Sequence, residues 1–392
     1  MDTITLSVPI TNMDNINLKQ FKPSAEDIFT TDRGYRRYVR NPTKSEKDSN
    51  IYLPIYTLYR RFGKVFETNL LIQFSVPKLI YNNNFQEVSE SDFPKVIQEL
   101  IYKMESNQIY IPKERLINAL VVAYHPSKNI LLNDGINCSM VLNQLYKALD
   151  VNQQQDFTQV IFKNGGQILH IHSMDYEFAI YDKVRELQQA SVSEKRSIEK
   201  QGYTQFSLLD DLVANNFLRL EFRMNSVKAI KAKIKSYAPE FEGVSLTFKS
   251  LFNEKLSKAM LTGYWNKEIK AKYINIIWKP EDFLEKSMSI KSLNPKLSHK
   301  DLMLVSFMQS IISTRGIQSL RSYMGWIGKN SYQWYKYKKL MQNLKIEDNR
   351  LYLIEDINKQ LSEFKPFKTI PSQLKSLDIF SKMINTDKYD ED

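Results

Sequence analysis

A single cysteine, Cys138, among 392 residues excludes an intrachain disulfide and any zinc site built from several thiolates, and it fits a reducing compartment. Cys138 itself reads as a plain packed side chain. Histidine is almost as scarce: with four in the chain, a metal site must draw on His125, His170, His172 or His299 together with carboxylates. Also missing is any run of the roughly 18 uncharged apolar residues that a membrane helix requires. The opening MDTITLSVPI has no basic stretch followed by an apolar one. The resulting expectations are no membrane association and a cytoplasmic location.

Hydrophobic residues make up 42% of the chain, enough to bury a core and to exclude a disordered protein. The formal net charge is +11, and 22 tyrosines and 21 phenylalanines are interleaved with the lysines. Cations beside aromatic faces suit a phosphate backbone and unstacked bases. A lysine-rich and asparagine-rich composition is also what an AT-rich genome produces, so charge favours a nucleic-acid partner without fixing one.

Thr11 to Asn50 is polar, with RGYRRYVRNPTKSEKDSN as its basic centre, and reads as a loop or arm after an opening strand. Arg33, Arg36, Arg37 and Arg40, with Arg60 and Arg61 beyond, are either phosphate contacts or a solvated face. Strand-like residues from Ile51 to Lys78 surround a turn at Gly63-Lys64, which predicts a hairpin. Ser91 to Pro94 then opens an amphipathic helix with Val96, Ile97, Leu100, Ile101 and Met104 on its apolar face. Leu116 to Tyr124 predicts a buried strand ending at His125-Pro126, and Ser139 to Leu149 a helix. A strand, helix, strand pattern follows from Val160 to Tyr181. Next come a charged helix from Asp182 to Lys200, with Lys195 and Glu199 four apart, a strand from Leu218 to Met224, and helices at Val227 to Ser236 and Phe248 to Trp265.

Past Pro280 the pattern turns helical. Ser298 caps a helix that carries Leu302, Val305, Met308, Ile311 and Ile312. Gly316, Gly325 and Gly328 punctuate short helices before SYQWYKYKKLMQNL. That last helix sets aromatics beside Lys336, Lys338 and Lys339, and reads either as the recognition helix of a helix-turn-helix module or as part of a structural cap. The implied divisions are an N-terminal strand and basic arm over 1–50, an α+β domain over 51–280, a helical domain over 281–380 and an acidic tail over 381–392.

The densest chemistry lies in LHIHSMDYEFAIYDKVREL, Leu169 to Leu187. A tyrosine hydroxyl can attack a phosphodiester and store the 5′ phosphate covalently, leaving a free 3′ hydroxyl; Tyr181 is the candidate. Such a reaction needs a cation to polarise the phosphate and positive side chains to stabilise the developing charge. Lys183 shares a face with Tyr181 if both lie on a strand, and Arg185 is the better partner if a helix has begun. His170 and His172 leave one face of a strand, and His125 ends another. Glu221 is an acid inside the otherwise apolar LRLEFRMN, where a carboxylate needs a partner. Arg219 and Arg223 can supply it, or a metal can, and a mixed histidine and carboxylate site with open positions suits Mg²⁺ or Mn²⁺ better than structural zinc. Each side chain also has a plain structural alternative: Tyr181 as a core aromatic, the histidines as hydrogen-bonded polar groups, His299 as helix-cap surface.

Four blocks, FSVPKLIYNNNF (Phe74 to Phe85), VVAYHPSKNI (Val121 to Ile130), EFAIYDKVREL (Glu177 to Leu187) and LRLEFRMN (Leu218 to Asn225), resemble in order and spacing the replication initiators of filamentous phages and related plasmid elements. The resemblance covers roughly residues 50 to 265. It implies an α+β fold: an antiparallel-sheet nuclease core with flanking helices, then a mainly α-helical C-terminal domain. It also implies Tyr181 as nicking nucleophile, Lys183 and Glu186 at the lysine and glutamate positions of the same block, and Arg219, Glu221 and Arg223 as an arginine-glutamate-arginine strand. His125 stands where those initiators have an aspartate. His170 and His172 resemble the two-histidine motif of the wider rolling-circle nuclease superfamily, closer to the tyrosine than usual.

The activity implied is nicking of one origin strand through a 5′-phosphotyrosine to start rolling-circle replication, followed by rejoining. Mg²⁺ or Mn²⁺ would be the cofactor and origin DNA, single-stranded or hairpin, the substrate. Host helicase and polymerase would be partners, and Arg185, Arg219, Arg223, Lys78, Lys336, Lys338 and Lys339 DNA contacts. The alternatives are a non-catalytic nucleic-acid-binding protein on the same scaffold, and a transposase or relaxase using the same chemistry.

Overall fold

Alternating apolar and polar residues give ten strands, paired antiparallel into one sheet, in the computed structural model. It describes residues 1–30, 36–43, 45–46, 52–61, 67–133, 136–149, 156–161, 167–189, 216–270, 283–326, 331–345 and 352–368. The strands are β1 (Thr3–Pro9), β2 (Arg36–Arg40), β3 (Ile55–Arg61), β4 (Glu67–Ser75), β5 (Leu120–Tyr124), β6 (Ser127–Leu131), β7 (Asp156–Ile161), β8 (Gln167–His172), β9 (Tyr176–Asp182) and β10 (Phe217–Met224). Their spatial order is β2-β3-β4-β1-β5-β10-β9-β8-β7, with β6 beside β10.

β5 and β6 act as one strand. Tyr124 faces Met224 and Ser127 faces Glu221, so the register runs unbroken across His125 and Pro126. The ladder is interrupted because proline has no N–H to donate, yet the Pro126 carbonyl still accepts from Phe222 N at 2.9 Å. On the other side His125 exchanges backbone hydrogen bonds with Thr3 O and Asp2 N.

The helices are α1 (Val76–Tyr81), α2 (Phe93–Glu105), α3 (Lys113–Ile117), α4 (Cys138–Ala148), α5 (Val227–Tyr237), α6 (Phe248–Leu251), α7 (Glu254–Tyr264), α8 (Phe283–Leu293), α9 (His299–Arg315), α10 (Ile317–Trp326), α11 (Ser331–Asn343) and α12 (Tyr352–Glu363). Caps set several of their starts: Ser226 accepts from Ala229 N for α5 and Ser298 from Asp301 N for α9. One face of β8, β9 and β10 buries Leu169, Ile171, Phe178, Ile180, Leu220 and Phe222 in a continuous core with α5 and α7. Tyr264 of α7 stacks on Phe178 at 4.1 Å between ring centroids.

α9, α10 and α11 enclose an apolar cluster of their own, from Met308 and Ile312 through Leu320 and Met324 to Met341. They meet α4 at Gly316, at φ +86°, where a Cβ would come within 3.2 Å of Lys147 Cα. Lys147 Nζ also donates to Ser313 O at 2.9 Å. α12 then returns to the sheet, burying Ile354, Ile357 and Leu361 in the main core. Gln360 brackets Leu131, accepting from its N–H at 3.0 Å and donating to its carbonyl at 2.6 Å.

Several expectations are corrected here. The basic arm contains β2, and β1 lies in mid-sheet, so the N-terminal 50 residues supply two strands to the same sheet as β3 to β10. Val76–Tyr81 is a helix rather than more of the hairpin, with Pro77 in its first turn. Residues 113–117 are helical, and the buried strand begins at Leu120. Ser127–Leu131 is a strand, and the stretch read as strand, helix, strand is three paired strands, β7 to β9. The helical region past 280 is divided, since α12 packs on the sheet rather than on α9 to α11. The Gly63-Lys64 turn, Arg33, Lys195, Glu199, Gly328 and the acidic tail lie outside the described residues. No described helix is long and apolar enough to cross a membrane.

Candidate active site on the polar face of the sheet

Cross-strand partners share a face, and the register therefore aligns three rows opposite the apolar core. His172, Glu177 and Arg223 form the first row; His170, Ala179, Glu221 and Ser127 the second; Ile168, Tyr181, Arg219 and Asn129 the third. Strand alternation adds His125 beside Ser127. Residues of four strands, β6, β8, β9 and β10, thus meet on one surface.

Arg223 is its hub. Its Nη1 lies 3.0 Å from Glu177 Oε1 and its Nη2 2.8 Å from Glu221 Oε2. Glu221 also accepts from the Tyr181 hydroxyl at 3.2 Å and faces His125 Nδ1 at 3.6 Å. Glu177 binds His170 Nδ1 and lies 3.9 Å from His172 Nδ1. The two imidazoles stack, 5.2 Å apart with planes 12° off parallel. Beyond the hub, His125 Nε2 is hydrogen-bonded to Asn225 Oδ1 at 2.8 Å, and His172 Nε2 to Thr158 Oγ1 at 3.2 Å.

Burial opposes ionisation of Glu221, but His125 and the Arg223 guanidinium outweigh it and hold the carboxyl well below the usual range. Glu177 is lowered in the same way, burial being overcome by His170 and Arg223. Tyr181 moves in the opposite direction. It is 4% exposed, and burial together with the Glu221 charge pushes its phenol well above its ordinary value. The nucleophile candidate is a neutral, enclosed phenol tied to a carboxylate.

The third row runs into the protein. Lys183 is fully buried, its Nζ 2.8 Å from Glu186 Oε2 and 5.8 Å from the Tyr181 ring centre. Burial lowers its pKa. Arg219 braces the interior: it reaches Asn84 O at 2.7 Å, Ser127 Oγ at 3.0 Å and Asp2 Oδ1 at 3.2 Å. Neither presents a cation to solvent. Arg185 is half-buried and bonded to Gln188, while Lys78 is half-buried on α1. Lys336 and Lys339 are exposed on α11 beside Tyr335, and the Lys338 side chain lies outside the described residues. His299 is exposed next to its cap, and Cys138 is free and buried.

Sequence reasoning passes over Glu177, Asn225 and Asp2 as site residues. Glu177 has a signal: the short β8–β9 turn places it directly across from His172. Asp2 has none, because its partner Arg219 lies more than two hundred residues away in the chain.

The chain matches no protein-family model, no curated protein and no solved structure. Geometry alone therefore speaks for the site.

Of His170, His172 and Glu177, only the carboxylate is a donor that Mg²⁺ or Mn²⁺ prefers. Among the described residues, moreover, no three histidine, cysteine or acidic side chains are spaced to hold an ion. In this arrangement Arg223 takes the place of a cation, neutralising Glu177 and Glu221 together.

Proposed function

We propose that the protein is a tyrosine-dependent DNA endonuclease and strand transferase that nicks one origin strand to start rolling-circle replication of a phage-like or plasmid-like element. The supporting observation is the single bonded network joining Tyr181, Glu221, Arg223, Glu177 and the histidines on one sheet face. On this reading the Tyr181 oxygen bonds to phosphorus as the bond to the 3′ oxygen breaks, and the 3′ oxygen leaves with a proton from water. The phenol proton passes to Glu221, to which it already points.

A substrate phosphate would draw Arg223 from the two carboxylates. That raises the proton affinity of Glu221 while the guanidinium stabilises charge on the phosphate oxygens. His170, His172 and Glu177 are not spaced to hold a divalent ion in this arrangement, so charge neutralisation rests on Arg223 and no step runs through a metal. Lys183, gripped by Glu186, positions the Tyr181 ring rather than touching DNA. Exposed Tyr335, Lys336 and Lys339 on α11 offer the duplex-binding surface, and host helicase and polymerase would take over the freed 3′ end.

The test is incubation of the full chain with labelled single-stranded DNA from its own element and Mg²⁺ or Mn²⁺. A denaturation-resistant adduct mapping to Tyr181 and lost in Tyr181→Phe is expected; an undiminished adduct in that variant sinks the assignment. The enclosure of Tyr181 favours a second reading, a non-catalytic DNA-binding protein on the same scaffold. That reading predicts salt-sensitive binding and no adduct under any metal condition.

A further inference from the structure

Where the polar face opens to solvent, the β8–β9 turn and the end of β10 border a cleft of about 220 Å³. Its walls include His172, Met174, Asp175, Tyr176, Glu177 and Asn225. We propose that this cleft receives one unstacked nucleobase of single-stranded DNA, next to the phosphate that Tyr181 attacks. The inference rests on the nuclease reading and names a contact that sets its sequence preference.

Size comes first. The cleft is below the ~300–1,000 Å³ of sites for drug-sized ligands, which leaves room for a single heteroaromatic group. Charge comes second: Asp175 and Glu177 on the walls disfavour a phosphate, so the neutral part of a nucleotide is the better occupant. Shape and surface come third. His172 is flat against His170, a pre-aligned ring of the kind on which bases stack. Met174 is 99% exposed at the tip of the turn, where its flexible thioether can close over a ring.

Polar readout is also present. The Asn225 carbonyl oxygen is taken by His125, and among the described residues nothing accepts from its amide nitrogen. The exposed carboxylate of Asp175 supplies an acceptor. A donor beside an acceptor matches the hydrogen-bonding edge of a base. Both walls lead to the nucleophile: Asn225 through His125 to Glu221, and Glu177 through Arg223 to Glu221, which holds the Tyr181 hydroxyl.

The probe is an oligonucleotide of about 20 nucleotides, longer than the ~4–16 of most single-strand sites, selected from a random single-stranded pool on the full chain. Abasic sugars are then placed at each position in turn and binding is followed by fluorescence anisotropy. One position is expected to weaken binding about tenfold, the scale of one stacked base, with small effects elsewhere. Met174→Ala and Asn225→Ala, both on exposed side chains, should show the same loss and no longer respond to that abasic position. A flat abasic profile, a profile unchanged in both variants, or failure to select any binder overturns the proposal. Adduct formation on the same oligonucleotides separates the two claims. An adduct with a flat profile rejects the base cleft and keeps the nuclease, whereas base-dependent binding without adduct does the reverse.

Discussion

The two faces of β8, β9 and β10 share a backbone and carry opposite chemistry. On one, Leu169, Phe178, Ile180 and Phe222 lose water independently of one another, each contributing about 1.5–3 kcal/mol by burial. On the other, every polar group depends on a neighbour: Glu221 on Arg223 and His125, Arg223 on two carboxylates, Tyr181 on Glu221. Buried ion pairs seldom stabilise more than apolar residues of the same volume. The polar face is therefore weak glue: its neighbours hold Glu221 and Glu177 ionised and keep the Tyr181 phenol neutral.

The contrast is broken most severely by truncation on the apolar side. Phe222→Ala should destabilise by about 3–5 kcal/mol in urea melts, while the polar rows keep their hydrogen bonds through the β9 ladder. Arg223→Ala comes next, at about 1–3 kcal/mol, because it strands two carboxylates. Adding Glu221→Gln to it should recover part of that loss, and a strictly additive double mutant would show that the face is not a network.

Acid sharpens the comparison further. Glu177 is depressed below the ordinary 4.5, with burial overcome by His170 and Arg223. Because its folded value is the lower one, its contribution is complete above that ordinary range and disappears as pH falls through the folded value. Urea stability measured downward from about pH 4.5 should fall less steeply in Glu177→Gln than in the parent, whereas Ile171→Val on the opposite face should leave the slope alone. Gly316→Ala tests a third region and is the smallest: a loss of about 1 kcal/mol in thermal melts, from positive φ and the crowding against Lys147.

Strongly periodic pieces are legible in the sequence. β10 and α2 emerge as expected because their apolar spacing is clean and their ends carry standard signals. Short apolar runs are not: VPKLIY suits a strand or a helix, and Pro77 decides it. β6 is hidden because its polar residues are satisfied from far away, Lys128 by Glu87 at 2.6 Å and Asn129 by the Phe85 carbonyl at 2.6 Å. At the site, sequence supplies the members and the structure supplies the grouping. Arg219 and Lys183 look like phosphate contacts until Asp2 and Glu186 are seen to claim them inside the protein. Glu177 looks incidental until the hairpin register sets it against both histidines.

With no side chain between Gly316 and the Lys147 backbone, the corner between α9 and α10 bears on α4 as a fulcrum rather than a hinge. α4 in turn lies against β8 and β9. Through α4, the corner of α9 and α10 is thus braced against the apolar face of β8, the strand that carries His170 and His172 on its other side.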